Sequence, residues 1–313
     1  MRCPPYRHLP TPLRVRRREG ALALVALLLG ALALAAPALQ QPANYHDFAD
    51  QRAWGALPHA LDVLSNAPFA LWGAAGLGAL ARALRLRAVD CAAAGLAALF
   101  FAGLIVTAGV SSYYHWQPDD AGLAWDRGGM VLAFAGLLGL AALQAVSRRA
   151  GIALAAAVLA LGLAAVQHWA VTGNLLPWAL LQGGGMVFIG VAACLRPVQP
   201  TPDLPIRWAL VIALYALAKG LELADLPVFE FTGQLVSGHS LKHVVASSSA
   251  WPVLLALKAA LAAAQQRPES SAKSALPFLP AESASPQPGP APSRGQALAR
   301  QAFEASLEPR SYA

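Results

Sequence analysis

Charge is what this chain has least of. Asp, Glu, Lys and Arg make up 12% of its 313 residues, against about a quarter in soluble domains. That is too little to cover a water-facing surface, which excludes a soluble globule, a coiled coil and a wholly disordered chain. Cysteine is also scarce: Cys3, Cys91 and Cys194 lie far apart, two of them inside apolar runs. No disulfide framework or cysteine metal site is implied. The formal charge of +7 is local, because Arg2, Arg7, Arg14, Arg16, Arg17 and Arg18 all fall in the first 18 residues. Without them and Glu19 the remainder is close to neutral, so the basicity reads as a topogenic signal and no nucleic-acid partner is expected.

What the chain does have is apolar sequence, 57% of the total, with a mean hydropathy of +0.50. A helix needs about 20 apolar residues to cross a bilayer, so the distance between charges is the useful quantity. Residues 20–45, 63–81, 91–118, 128–147 and 150–195 contain no Asp, Glu, Lys or Arg. The last run is long enough for two spans, with a turn at Val171-Thr172-Gly173-Asn174 before Pro177. Residues 206–224 and 239–264 are further apolar candidates that carry Lys219, Glu222, Lys242 and Lys258. The expected fold class is an all-α integral membrane protein: a seven-helix core over residues 40–264, preceded by a basic, hydrophobic segment at 1–39. Ala36-Pro37-Ala38 fits a signal-peptide cleavage site as well as a retained first helix. The tail, 265–313, is rich in Pro, Ser and Ala and is expected to be disordered.

Basic residues collect on the cytoplasmic side of alternating spans. Arg82, Arg85 and Arg87, then Arg148 and Arg149, Arg196 and Arg207, and finally Arg267 and Lys273 all fall on the side of the N-terminal arginines. The opposite segments hold Asp47, Asp50, Asp62, Asp119, Asp120, Glu222, Asp225 and Glu230. The expected location is therefore the cell membrane, multi-pass, with a cytoplasmic C-terminus and the acidic face toward the exterior or periplasm.

Ionisable residues inside spans are costly and become functional candidates. Ser111 and His115 are four apart near the outer end of the second core helix. Asp126 follows where the third opens, and His239 and His243 share a face where the seventh begins. Topology alone puts all five at one depth. Three neutral imidazoles with an open fourth position make a catalytic zinc site, beside which Asp126 relays a proton and Ser111 bonds an oxyanion. Each residue has a simpler reading as well: histidines hydrogen-bonded across helices, Asp126 as a helix cap, Ser111 as a small contact residue. Lys219 and Glu222 read as an i,i+3 pair with Asp225 as a further partner. The eight tryptophans read as an interfacial aromatic belt.

The constellation of Ser111 and His115, Asp126 eleven residues later, and the late His239-x-x-x-His243, on seven helices, resembles the alkaline ceramidase family. More broadly it resembles the superfamily of seven-helix membrane hydrolases that also holds the progestin and adipoQ receptors. Asp62-Val63-Leu64-Ser65-Asn66 is similar to the family's Ser-Asn ending of helix one. The resemblance implies that His115, His239 and His243 bind Zn2+ while Ser111 and Asp126 are catalytic in amide hydrolysis of a ceramide-like lipid. The family's calcium site is matched only in part, by Asp47, Asp50 and Asp62, with His59 in place of an acidic ligand. The run after Asp126 also departs from the family, so the lipid amide need not be ceramide. Two other classes stay open: a non-enzymatic receptor or sensor with structural zinc, and a haem protein with histidine axial ligands.

Overall fold

The computed structural model describes residues 13–195 and 204–266. The chain divides into two units, Met1–Arg267 and Pro268–Ala313; the second, and with it the tail expected to be disordered, lies outside the described residues. Among the described residues every regular element is helical: α1 (Leu13–Ala35), α2 (Ala60–Leu64), α3 (Ala67–Arg85), α4 (Cys91–Trp116), α5 (Asp120–Ala145), α6 (Arg148–Thr172), α7 (Leu176–Cys194), α8 (Trp208–Leu223), α9 (Asp225–Phe231), α10 (Gly238–Ser247) and α11 (Ala250–Gln265).

The protein is an all-α membrane protein. Seven helical stretches, namely α1, α2–α3, α4, α5, α6, α7 and α10–α11, are long and apolar enough to cross a membrane. At 16 residues α8 is shorter than these, but it packs on α7 and α10 and completes the seven-helix core beside α1. The expected turn after α6 is present: Gly173 closes the helix at φ 72°, a left-handed conformation that glycine adopts without penalty. Side-chain caps start α4, α5 and α6. Asp90 accepts from the amides of Ala92 and Ala93, Asp119 from Gly122, and Ser147 from Ala150, each worth on the order of 1 kcal/mol.

Lipid tails are as apolar as leucine, so helices in a bilayer associate through close packing. The central pair, α4 and α5, does this with small residues. A Cβ on Gly103 would collide with the Ala133 backbone, and one on Gly136 would collide with the backbone of Phe100. Gly129 likewise meets Thr107 and Val110. This contact sets the outer turns of α4 against the first turns of α5, where the candidate residues sit.

The loops sort by charge. The Arg18 guanidinium donates to the Ala145 carbonyl at 2.6 Å, and Arg148 lies 3.9 Å from Asp90, so the start of α1 and the α3–α4 and α5–α6 turns share one end. At the other, Asp120 accepts from Gln41 and meets His46. One expectation is corrected here. Trp169, Trp178 and Trp208 are buried and so are not belt residues, whereas Trp54, Trp116, Trp125 and Trp251 are exposed.

Candidate metal centre

α4 runs to Trp116 and carries His115 into the bundle, while α10 presents His239 and His243 one turn apart. All three are buried, and their nearest ligand atoms lie within 4.8 Å of one another. The ring centroids are 4.8 Å apart for His115 and His239, and 4.9 Å for each of the other two pairs. Nε2 of His115 stands 3.3 Å from Nε2 of His239. Two nitrogens bound tetrahedrally at about 2.0–2.1 Å from one ion are separated by about 3.3–3.4 Å. Three buried histidines thus stand close enough to hold a metal ion, and among the described residues they form the one such group.

The surroundings fix how the rings are held. Ser65, between α2 and α3, places its hydroxyl 2.8 Å from Nδ1 of His243 and donates its own hydrogen to the Asp62 carbonyl at 3.0 Å. Phe48 covers the other two rings, 4.8 Å from His115 and 4.4 Å from His239. Asp225 ties the parts together by accepting from the amides of His239 (2.7 Å) and Ala49 (2.9 Å). It is therefore not a partner of Lys219; Glu222 binds both Lys219 and Lys242 instead. Nδ1 of His115 is buried without a hydrogen-bond partner, a polar atom that is costly to leave bare.

Ser111 is buried on α4 one turn before His115, and Asp126 on α5 lines the same cavity. Asp126 does not cap α5, because that helix starts at Asp120 with Asp119 as its cap. Ser111, Asp126 and His243 line one cavity of about 140 Å³. Much of its wall is apolar, including Phe100, Leu104, Phe134 and Leu137. The five residues expected at one depth do lie at one end of the bundle.

The three aspartates considered for calcium are not gathered. Asp50 is engaged by Arg52 at 2.6 and 2.7 Å; burial pushes its carboxyl up, but the hydrogen bonds and charge of Arg52 outweigh this and hold it below the usual range. Asp62 accepts from Ser240 at 2.6 Å and Ser237 at 3.4 Å. Asp47 is exposed in the outer segment. Residues that the spacing did not single out are Phe48, and Tyr215 and Gln182 on the cavity wall. An isolated aromatic in a loop carries no pattern that announces it. No protein-family model and no curated protein matches this chain.

Proposed function

We propose that this chain is a zinc-dependent membrane amidohydrolase of lipid-like amides, similar in action to the alkaline ceramidases. The observation that carries this reading is the 3.3 Å approach of His115 and His239, with His243 completing the ligand set and also lining the cavity that Ser111 and Asp126 share. His115, His239 and His243 would hold the zinc, which when bound would supply Lewis acidity toward a carbonyl and activate a water. The protein's own groups do the rest. Asp126 takes the proton of the attacking water and returns it to the leaving amine. Ser111 donates a hydrogen bond to the oxygen that becomes negative as the carbonyl carbon turns tetrahedral. The apolar wall of Phe100, Leu104, Phe134 and Leu137 accommodates the acyl chain. The arginine distribution supports a site facing the exterior or periplasm, with the C-terminus cytoplasmic.

One observation favours a second reading. His115 and His239 are packed under Phe48 and are absent from the cavity wall, which suits a structural zinc tying α4 to α10 in a non-enzymatic receptor. Turnover separates the two. Purified protein should hydrolyse a long-chain lipid amide, lose this activity to a strong chelator and regain it with zinc. Metal-loaded, folded protein that hydrolyses no lipid amide would favour the receptor.

A further inference from the structure

The cavity holds more positive than negative charge. Lys219, Lys242 and Arg127 line it against Glu222 and Asp126, which leaves one cation in excess within a membrane-embedded site. Charge at that depth is expensive unless paired. Glu222 is shared: Lys242 Nζ lies 2.8 Å from one carboxylate oxygen and Lys219 binds the other. An ammonium has three N–H donors, so each lysine retains donors beyond its bond to Glu222. Arg127 is 3% exposed. It donates to Gln41 at 2.6 Å and lies over the rings of Trp169 and Tyr45, and among the described residues it forms no ion pair with a carboxylate. Its Nη1 is buried with no hydrogen-bond partner. A neutral lipid amide would leave the extra charge unanswered. An anion in the cavity, within reach of the spare lysine donors, answers it.

We infer that the cavity takes an amphiphile with an anionic group beside its amide, in chemical class an N-acyl amino acid, with Lys242 and Lys219 as the anion subsite. This deepens the amidohydrolase reading and rests on it for the position of the amide. Lys242 and His243 both line the cavity, and in an N-acyl amino acid one carbon separates the amide nitrogen from the carboxylate. One cavity therefore offers a carboxylate partner and a metal-ligand candidate together. The acyl chain takes the apolar wall.

The test is selectivity between N-palmitoylglycine and N-palmitoylethanolamine, which differ in the anionic group, measured on the full chain. Hydrogen bonds to a charged group are worth about 10- to 100-fold in affinity, so wild-type kcat/KM should favour the glycine conjugate by at least about 10-fold. Lys242→Met removes the excess charge while Lys219 stays paired with Glu222, and should carry the ratio toward one through KM. Glu222→Gln should hold or raise it. A wild-type enzyme that hydrolyses both equally, or prefers the ethanolamide, overturns the anion subsite and leaves the amidohydrolase reading standing. If neither amide is hydrolysed, that reading fails, and binding decides the subsite: tighter binding of N-palmitoylglycine than of the ethanolamide, lost in Lys242→Met, sustains it, and equal binding overturns it. Palmitate is the third ligand. Palmitate held as tightly as N-palmitoylglycine in a Lys242-dependent way would assign the lysines to the released acid and overturn the substrate assignment.

Discussion

Ser65 Oγ lies 2.8 Å from Nδ1 of His243, and its one hydrogen is already given to the Asp62 carbonyl. The hydroxyl therefore accepts from His243, which fixes the proton on Nδ1 and leaves the Nε2 lone pair for the centre of the histidine cluster. Partners of this kind set ring orientation and ligand basicity, and their loss typically costs about 10- to 100-fold in metal affinity. Ser65→Ala should weaken zinc binding by that factor in a chelator competition, while Ser65→Thr should retain it. Equal affinity in wild type and Ser65→Ala would show that the hydroxyl does not orient the ligand.

Binding and chemistry should separate by residue. His115→Ala, His239→Ala and His243→Ala should each lower metal content, since each removes one of three protein ligands. Ser111→Ala and Asp126→Asn should keep the metal and lose turnover, by about 10²–10³-fold for an oxyanion donor and about 10²–10⁴-fold for a proton-transfer group. Loss of metal in the second pair would make Ser111 and Asp126 supports of the metal site, not reacting groups.

Phe48 packs over His115 and His239 and is itself nearly buried. Phe48→Ala should speed extraction of the metal by a chelator, because the ring, part of the outer segment, covers two of the three ligands. An unchanged extraction rate would mean that the metal leaves through the cavity beside His243.

The α4–α5 contact has no room for a side chain at Gly103, whose Cβ would collide with the Ala133 backbone. Overpacking of this kind costs about 1–3 kcal/mol or more. Gly103→Val should lower the thermal midpoint in detergent and reduce turnover together, since the same contact brings Ser111 to Asp126. Gly78 meets nothing within 4 Å, and Gly78→Ala should leave the midpoint unchanged.

Asp50 gives the outer segment a pH dependence. Its folded pKa is lowered, so its contribution is full above the ordinary carboxylate value near 3.9 and is lost as pH falls through the lower folded value. Acid titration of stability should show this loss in wild type and not in Asp50→Asn. Identical profiles would remove the Arg52 pairing as a source of stability.

The helices and the five candidate residues were legible because both follow from simple rules. Span length comes from the spacing of charges, and residues at the ends of alternating spans must meet at one membrane face, as Ser111, His115, Asp126, His239 and His243 do. The break at Ser65 and Asn66 was visible only as a motif; its contact with His243 joins residues 178 positions apart and no local pattern encodes it. The lysines were visible, but reading Lys219 and Glu222 as a local pair missed Lys242, which reaches Glu222 across from another helix. The tryptophans misled for a related reason: position near a helix end fixes depth, whereas burial of Trp169 depends on which face meets Arg127.

Metal content of the purified, folded protein tests the central claim most directly. Mass spectrometric metal analysis should find about one zinc per wild-type chain and a large loss in His243→Ala of equal folding and helicity. Wild-type protein that is folded and holds no stoichiometric metal after zinc is supplied would contradict it, and would return His115, His239 and His243 to interhelical hydrogen bonding.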